Sequence, residues 1–128
     1  MAFQKSVAVR NGELDQIETT IGTSAVLRMF SGAEPANCAA ADPSGLLATI
    51  QLPSDWMNNA SSGSKTKLGT WSGAASSGGT IASWRIYDSG TTTCHLQGNT
   101  TDMTFDNTNV ANGQVITVNT FTITAGNA

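Results

Sequence analysis

The side chains of this chain that could perform acid–base chemistry are few and lie far apart in the sequence. His95 is the one histidine among the 128 residues, and no local signature of a catalytic triad surrounds it. The alternation of apolar residues in this segment places His95 on the opposite face from Cys94 and Leu96, towards solvent. The pattern therefore indicates an ordinary surface histidine.

Two pairs of carboxylates lie close in the sequence, Asp102 with Asp106 and Glu13 with Asp15. Glycosidases use two carboxyl groups about 5–10 Å apart across a cleft. Asp102 and Asp106 instead flank a short predicted strand, at positions where aspartate is a common turn residue. We therefore predict that the chain has no catalytic residue and is not an enzyme.

Sequence motifs for metal ions and phosphates are missing. The chain contains no CxxC, no HExxH and no EF-hand calcium loop. Residues 101–107 are rich in oxygen ligands but match a calcium site only weakly. The glycine-rich stretch Ser72–Gly79 lacks the spacing of a phosphate-binding loop. We therefore predict no metal and no cofactor.

Aromatic side chains could form a platform on which a sugar stacks. Trp84 alternates with the core residues of a predicted strand, and Trp56 and Trp71 are expected to cover the ends of the fold. A carbohydrate-binding or adhesin module stays open as an alternative because of four residues: Trp56, Trp71, Trp84 and Tyr87.

The charge of the chain argues against two kinds of partner. The formal net charge is −3, and the six lysines and arginines are scattered along the sequence. Nucleic acids and anionic membranes both attract clustered cations, so we expect neither as a partner. The cationic residues are Lys5, Arg10, Arg28, Lys65, Lys67 and Arg85.

The sequence also predicts a compartment. It has no apolar run of about 18 residues that could cross a membrane, and its first residues lack the apolar segment of a secretory signal. We therefore expect synthesis in a cytoplasm. In that reducing environment Cys38 and Cys94 are predicted to be free thiols, on a loop and a strand with no reason to be adjacent.

One segment has the pattern of a helix, from Asn11 to Ile21. Asn11 is a suitable N-cap, and Gly22 stands where a C-cap belongs. The apolar side chains of the segment form one stripe that would pack on a sheet: Leu14, Ile17 and Ile21.

The rest of the chain alternates with the period of β-strands. The alternation of apolar residues along the last strand shifts by one position between Val118 and Phe121, which predicts a β-bulge near Asn119. The sequence thus predicts a single, mainly β domain over residues 1–128, a β-sandwich or small barrel of about six to seven strands with one N-terminal α-helix. The predicted strands are Ala25–Phe30, Leu46–Leu52, Gly69–Gly73, Thr80–Tyr87, Thr91–Gln97, Asp102–Asp106 and Val115–Thr124.

The first nine residues precede every predicted core element. They are too short to form one of their own, and they are mildly apolar. We predict that residues 1–9 form an extended arm that binds a partner, through Phe3, Val7 and Val9 with the adjoining Arg10.

Several segments resemble a family of small virion structural proteins of tailed bacteriophages. The resemblance lies in Arg10–Ser24, Leu27–Gly32, Leu52–Met57, Trp84–Gly90 and Phe121–Ala128, and so spans nearly the whole chain. It includes no catalytic motif. The resemblance implies a structural role in the virion.

Within that family the resemblance implies a capsid decoration, or cement, protein. Its partners would be the major capsid protein or other virion proteins, and the chain would be homo-oligomeric or arrayed on a lattice. It would be made in the cytoplasm of the bacterial host and end in the virion. A tail, neck or fibre component is the alternative within the same class.

Overall fold

A computed structural model describes residues 3–125 of the chain. In this range the protein is mainly β, with one N-terminal helix and ten strands, which confirms the predicted fold class. The strands beyond the six or seven expected are two or three residues long. The elements are α1 Val7–Ile21, β1 Val26–Phe30, β2 Leu46–Gln51, β3 Ser64–Thr66, β4 Ser72–Ala74, β5 Gly79–Thr80, β6 Ser83–Tyr87, β7 Cys94–Asn99, β8 Met103–Phe105, β9 Asn109–Val110 and β10 Val115–Thr124.

The first sheet has four antiparallel strands in the order β2-β1-β6-β7. Leu27 of β1 pairs with Ile50 of β2 on one side and with Ile86 of β6 on the other, and all three side chains are buried in the core. Strands β6 and β7 form the predicted hairpin. The strict alternation of these strands sends Leu27 and Met29 to one face and Val26 and Arg28 to the other, as the sequence indicates.

The second sheet is built on β10, which pairs antiparallel with β3, β4 and β8. The pairing with β8 skips Asn119, because Val118 lies opposite Phe105 and the next partner, Thr104, lies opposite Thr120. The predicted bulge is thereby confirmed. A short ribbon of β5 and β9 completes the strand pairing of the described residues.

The tryptophans form the centre of the core. Trp56, Trp71 and Trp84 are each at most 2% exposed, and Phe121 lies between the rings of Trp71 and Trp84 at 5.7 Å and 5.1 Å. Each indole N–H donates to a backbone carbonyl, so burial leaves no indole donor unpaired. None of these rings is free to stack on a sugar.

Helix α1 begins at Val7 and not at the predicted Asn11. Ser6 is the N-cap, and its hydroxyl oxygen accepts a hydrogen bond from the Val9 N–H at 3.1 Å. Asn11 instead uses its side-chain oxygen to accept from the Gly63 N–H at 2.9 Å. The helix ends at Ile21, before Gly22 with a φ of 96°.

This start also corrects the predicted arm over residues 1–9. Val7–Val9 form the first turn of α1 and are not extended. Met1 and Ala2 lie outside the described residues.

No helix within residues 3–125 is both long enough and apolar enough to span a membrane.

The apolar stripe of α1 is only partly buried. Leu14 and Ile21 are 2% and 5% exposed, whereas Ile17 is half-buried against the edge of the core. We therefore expect Ile17→Ala to cost about 1–2 kcal/mol, roughly half the range for a fully buried site. The thermal midpoint should fall by several degrees in a circular-dichroism scan. An unchanged midpoint would show that the stripe does not hold the helix.

Candidate functional site

Three of the five exposed large apolar side chains of the described residues lie near the start of the chain. Phe3 is 84% exposed, Val7 49% and Val9 52%. We call these three residues the N-terminal apolar surface. They are three of the four residues that the sequence predicts to bind a partner. Phe3 precedes α1, and Val7 and Val9 lie in its first turn.

Arg10, the fourth of these residues, faces the protein's own chain. Its guanidinium packs against Gly63, where an added Cβ would lie 2.0 Å from Nη2. Its side chain is half-buried, and no alanine could replace Gly63 without moving it. Arg10 therefore fixes the helix to the loop after Ala60 and marks the inner boundary of the N-terminal apolar surface.

A buried lysine holds the middle of α1. Lys65 of β3 is 1% exposed, and its ammonium lies 2.8 Å from Asp15 Oδ1 and 3.0 Å from Glu18 Oε1. Asp15 also accepts from the Ala60 N–H at 2.9 Å. These polar contacts join α1 to β3 of the second sheet, in addition to the buried Leu14 and Ile21 of the apolar stripe.

The pKa values of Asp15 and Lys65 are shifted by the contacts that the two side chains make. The hydrogen bond from Lys65, followed by the one from the Ala60 N–H, lowers the pKa of Asp15 below its ordinary value of 3.8. Burial acts to lower the pKa of Lys65, but its hydrogen bonds to Asp15 and Glu18 outweigh burial and raise it above 10.5. Lys65 and Asp15 therefore stay charged near neutral pH.

A second buried cation, Arg85, lies on the outer face of the first sheet beneath the loop of residues 31–45. Arg85 is 2% exposed. Its Nη1 donates to the Ala40 carbonyl and to Asp42 Oδ1, both at 3.0 Å, and its Nη2 donates to the Asn37 carbonyl at 3.1 Å and to Gln97 Oε1 at 3.0 Å. One side chain thus binds the loop at three points.

Tyr87 completes this cluster. Its hydroxyl donates to Asp42 Oδ1, and its ring lies 5.7 Å from the Arg28 guanidinium. Burial, followed by the hydrogen bond to Asp42, raises the pKa of Tyr87 well above its ordinary value. The tyrosine is therefore a neutral donor at physiological pH, with a structural contact to the loop.

The two cysteines meet beside this cluster, contrary to the prediction that they need not be adjacent. Both are free thiols, as predicted, and both line a cavity of about 580 Å³ between the loop and the sheet. Burial, followed by the neighbouring Cys38 thiol, raises the pKa of Cys94 to about 12.

A bulge at His95 brings the thiols together. Ile86 pairs with Leu96 and Tyr87 pairs with Cys94, so the β6–β7 register skips His95. Cys94 therefore shares the outer face with Tyr87, and the prediction that Cys94 and Leu96 both face the core is wrong for Cys94. His95 is half-buried beside α1, in a shallow cavity of about 180 Å³.

The carboxylates considered for glycosidase chemistry make backbone and surface contacts. Asp102 accepts from the Asn99 N–H and Asp106 from the Thr117 N–H, each at 3.0 Å. Glu13 pairs with Lys5 at 3.1 Å. Within residues 3–125 no three acidic, histidine or cysteine side chains group as metal ligands.

No family model, curated protein or solved structure matches the chain. Its function has to be inferred from its own surface and interior. The strongest feature of the surface is the N-terminal apolar surface, and the strongest feature of the interior is the set of polar contacts that fix α1 and the loop over Arg85.

Proposed function

We propose that the chain is a structural protein of a bacteriophage virion, a capsid decoration protein that binds the capsid lattice through its N-terminal apolar surface. The observation that carries the proposal is the exposure of Phe3, Val7 and Val9, just before and within the first turn of a helix whose following turns are fixed to the core. The partner is the major capsid protein, and the role is mechanical and not catalytic.

The energetics of the N-terminal apolar surface support binding. Exposed apolar side chains are common singly, but three within residues 3–9 concentrate apolar area that another protein could cover. Burying each fully in an interface is worth about 1.5–3 kcal/mol. Because the helix is anchored by Lys65 and Arg10, little of its order has to be gained on binding.

A small patch suffices on a repeating lattice. A protein that contacts several capsid subunits, or that contacts further copies of itself, gains avidity because each contact raises the effective concentration for the next. The acidic, charge-poor surface suits a molecule that must stay apart from packaged nucleic acid. Bridging neighbouring subunits would hold the shell against internal pressure.

The two alternative functions require different surface features. A carbohydrate-binding or adhesin module would need an exposed aromatic platform, but Trp56, Trp71, Trp84 and Tyr87 are all buried. A tail, neck or fibre component would use the same N-terminal apolar surface, and differs from a decoration protein in the number of copies per particle.

Val9→Glu separates binding from folding. Val9 is the third helical residue, and its N–H already donates to the cap Ser6. A glutamate at that position forms a capping box with the serine, so the thermal midpoint should stay the same or rise slightly. Binding should weaken at least tenfold, because an apolar contact is replaced by a charge. The assay is co-sedimentation with preassembled capsids that lack the protein.

Val115→Glu is the matched control. Val115 is 57% exposed, at the start of β10, so the substitution adds the same charge at an equally exposed valine elsewhere. It should leave capsid binding unchanged. Wild-type binding by Val9→Glu, or an equal loss in both variants, would refute the proposed binding surface.

A further inference from the structure

The Cys38 thiol lies on a segment that is fixed by its neighbours. The Asn37 side-chain oxygen accepts from the Ala39 and Ala40 N–H groups at 2.9 Å and 3.0 Å, which forms a tight turn around Cys38. The Asn37 carbonyl is bound by Arg85. Cys38 is therefore held above the outer face of the first sheet.

The Cys94 thiol is directed to the same place by the bulge at His95. Cys94 pairs with Tyr87, whose hydroxyl binds Asp42 in the same loop. The loop and β7 are further joined by Gln97, which donates to the Pro35 carbonyl at 2.8 Å. The two sulfurs thus interact across one cavity, between two segments that polar contacts hold in position.

We propose that Cys38 and Cys94 form an intramolecular disulfide when the folded protein meets a disulfide donor of the glutathione type. The inference rests on the placement of the two thiols and does not depend on the proposed role in a virion. The thiols are reduced in the structure, and both residues are partly exposed and line the open cavity.

The chemistry is thiol–disulfide exchange in two steps. The Cys38 sulfur, as thiolate, attacks one sulfur of the donor, which forms a mixed disulfide and releases one donor thiolate that takes up a proton. Cys94 then loses its proton to water, and its sulfur attacks the Cys38 sulfur of the mixed disulfide. The Cys38–Cys94 bond forms, the bond from Cys38 to the donor breaks, and the released donor thiolate takes up a proton. The protein loses two protons and two electrons, and the donor disulfide becomes two thiols.

The disulfide would lock the loop over the Arg85 cluster. It would join Cys38 in the loop to Cys94 at the start of β7. The crosslink would restrict the conformations of the unfolded chain between residues 38 and 94, and so stabilise the folded state. Because the Cys94 thiol is mostly protonated at neutral pH, its attack on the mixed disulfide should be slow. The redox potential of the medium then decides how much of the protein is oxidised at equilibrium. The loop would then be held by a covalent bond as well as by Arg85.

The test is to incubate the folded, full-length protein with oxidised glutathione and then to alkylate it without reductant after unfolding. We expect a monomer with no alkylated cysteine, a peptide that joins Cys38 to Cys94, and a thermal midpoint about 10 °C above that of the reduced protein. Adding reductant should reverse the shift.

Cys38→Ser is the control for the bond itself. It should keep the thermal midpoint of the reduced protein with and without oxidised glutathione. The proposal is overturned if both wild-type cysteines stay open to alkylation, if only glutathione adducts or intermolecular dimers form, or if the oxidised and reduced proteins melt together.

Discussion

Replacing Arg85 by methionine should lower the free energy of unfolding by about 3–5 kcal/mol, because removing one partner from a buried ionic network leaves the others without compensation. The Ala40 and Asn37 carbonyls would each lose the hydrogen bond from the guanidinium, and Asp42 would lose its closest cation. Arg85→Lys should recover only part of the loss, since an ammonium cannot reproduce the planar fork that binds three points of the loop. Urea unfolding followed by tryptophan fluorescence measures both variants.

Arg28→Met is the matched control for Arg85. Arg28 pairs with Arg85 in the neighbouring strand and projects from the same face, but its side chain is 29% exposed and lies 4.0 Å from Asp42. Its loss should cost less than about 1 kcal/mol, as is usual for an exposed ion pair. Equal losses from the two substitutions would contradict the central role given to Arg85.

Lys65→Met should lower the free energy of unfolding by about 2–4 kcal/mol. The substitution keeps the buried volume but removes the ammonium, which leaves Asp15 and Glu18 as neighbouring negative charges without a counterion. The loss should be smaller than for Arg85, because the Asp15 and Glu18 side chains are 47% and 21% exposed and can regain water. The measurement is urea unfolding at neutral pH.

Lys67→Met is the control for this prediction. Lys67 is two positions along the same segment, and its ammonium binds the Gly69 carbonyl at 2.8 Å rather than a carboxylate. We expect it to cost less than about 1 kcal/mol. A Lys65→Met variant as stable as wild type would show that the charged cluster is not what fixes α1.

The same cluster predicts how stability depends on pH. The pKa of Asp15 is lowered on folding, so its contribution is present above 3.8 and is lost as the pH falls through the folded value. The pKa of Lys65 is raised, so its contribution is full below 10.5 and is lost as the pH rises through the folded value. Wild-type stability should fall at both extremes, and Lys65→Met should flatten both falls.

Much of the fold could be predicted because local pattern and tertiary structure agree. The alternation in Thr80–Tyr87 separates Trp84 and Ile86 from Arg85 and Tyr87, and the pairing of β6 keeps that division. The shift in the apolar alternation before Phe121 indicated the bulge at Asn119, because one extra residue moves every later side chain to the opposite face of the strand.

No shift in the apolar alternation of the sequence indicates the bulge at His95. Cys94 and Leu96 are both acceptable core residues, so an unbroken strand accounts equally well for their spacing, and only the pairing with Tyr87 places Cys94 outside the core. The burial of Arg85 was missed for a similar reason. It depends on where the loop of residues 31–45 lies, and no local pattern specifies that position.

The start of the helix was misplaced because two N-caps compete. Asn11 precedes two carboxylates in a first turn, which is a favourable local pattern, whereas Ser6 precedes exposed valines. The contact of Asn11 with Gly63 could not be inferred from neighbouring residues. The exposure of Phe3, Val7 and Val9 was predicted correctly, although two of them lie on a helix and not on an extended arm.

The copy number of the chain in purified virions tests the proposed function most directly. Quantitative mass spectrometry of intact particles gives the ratio of this protein to the major capsid protein. A decoration protein that covers the lattice should be present at a ratio of the same order as the capsid subunit. Only a few copies per particle, or none, would contradict the proposal, and a few copies would favour a tail, neck or fibre component.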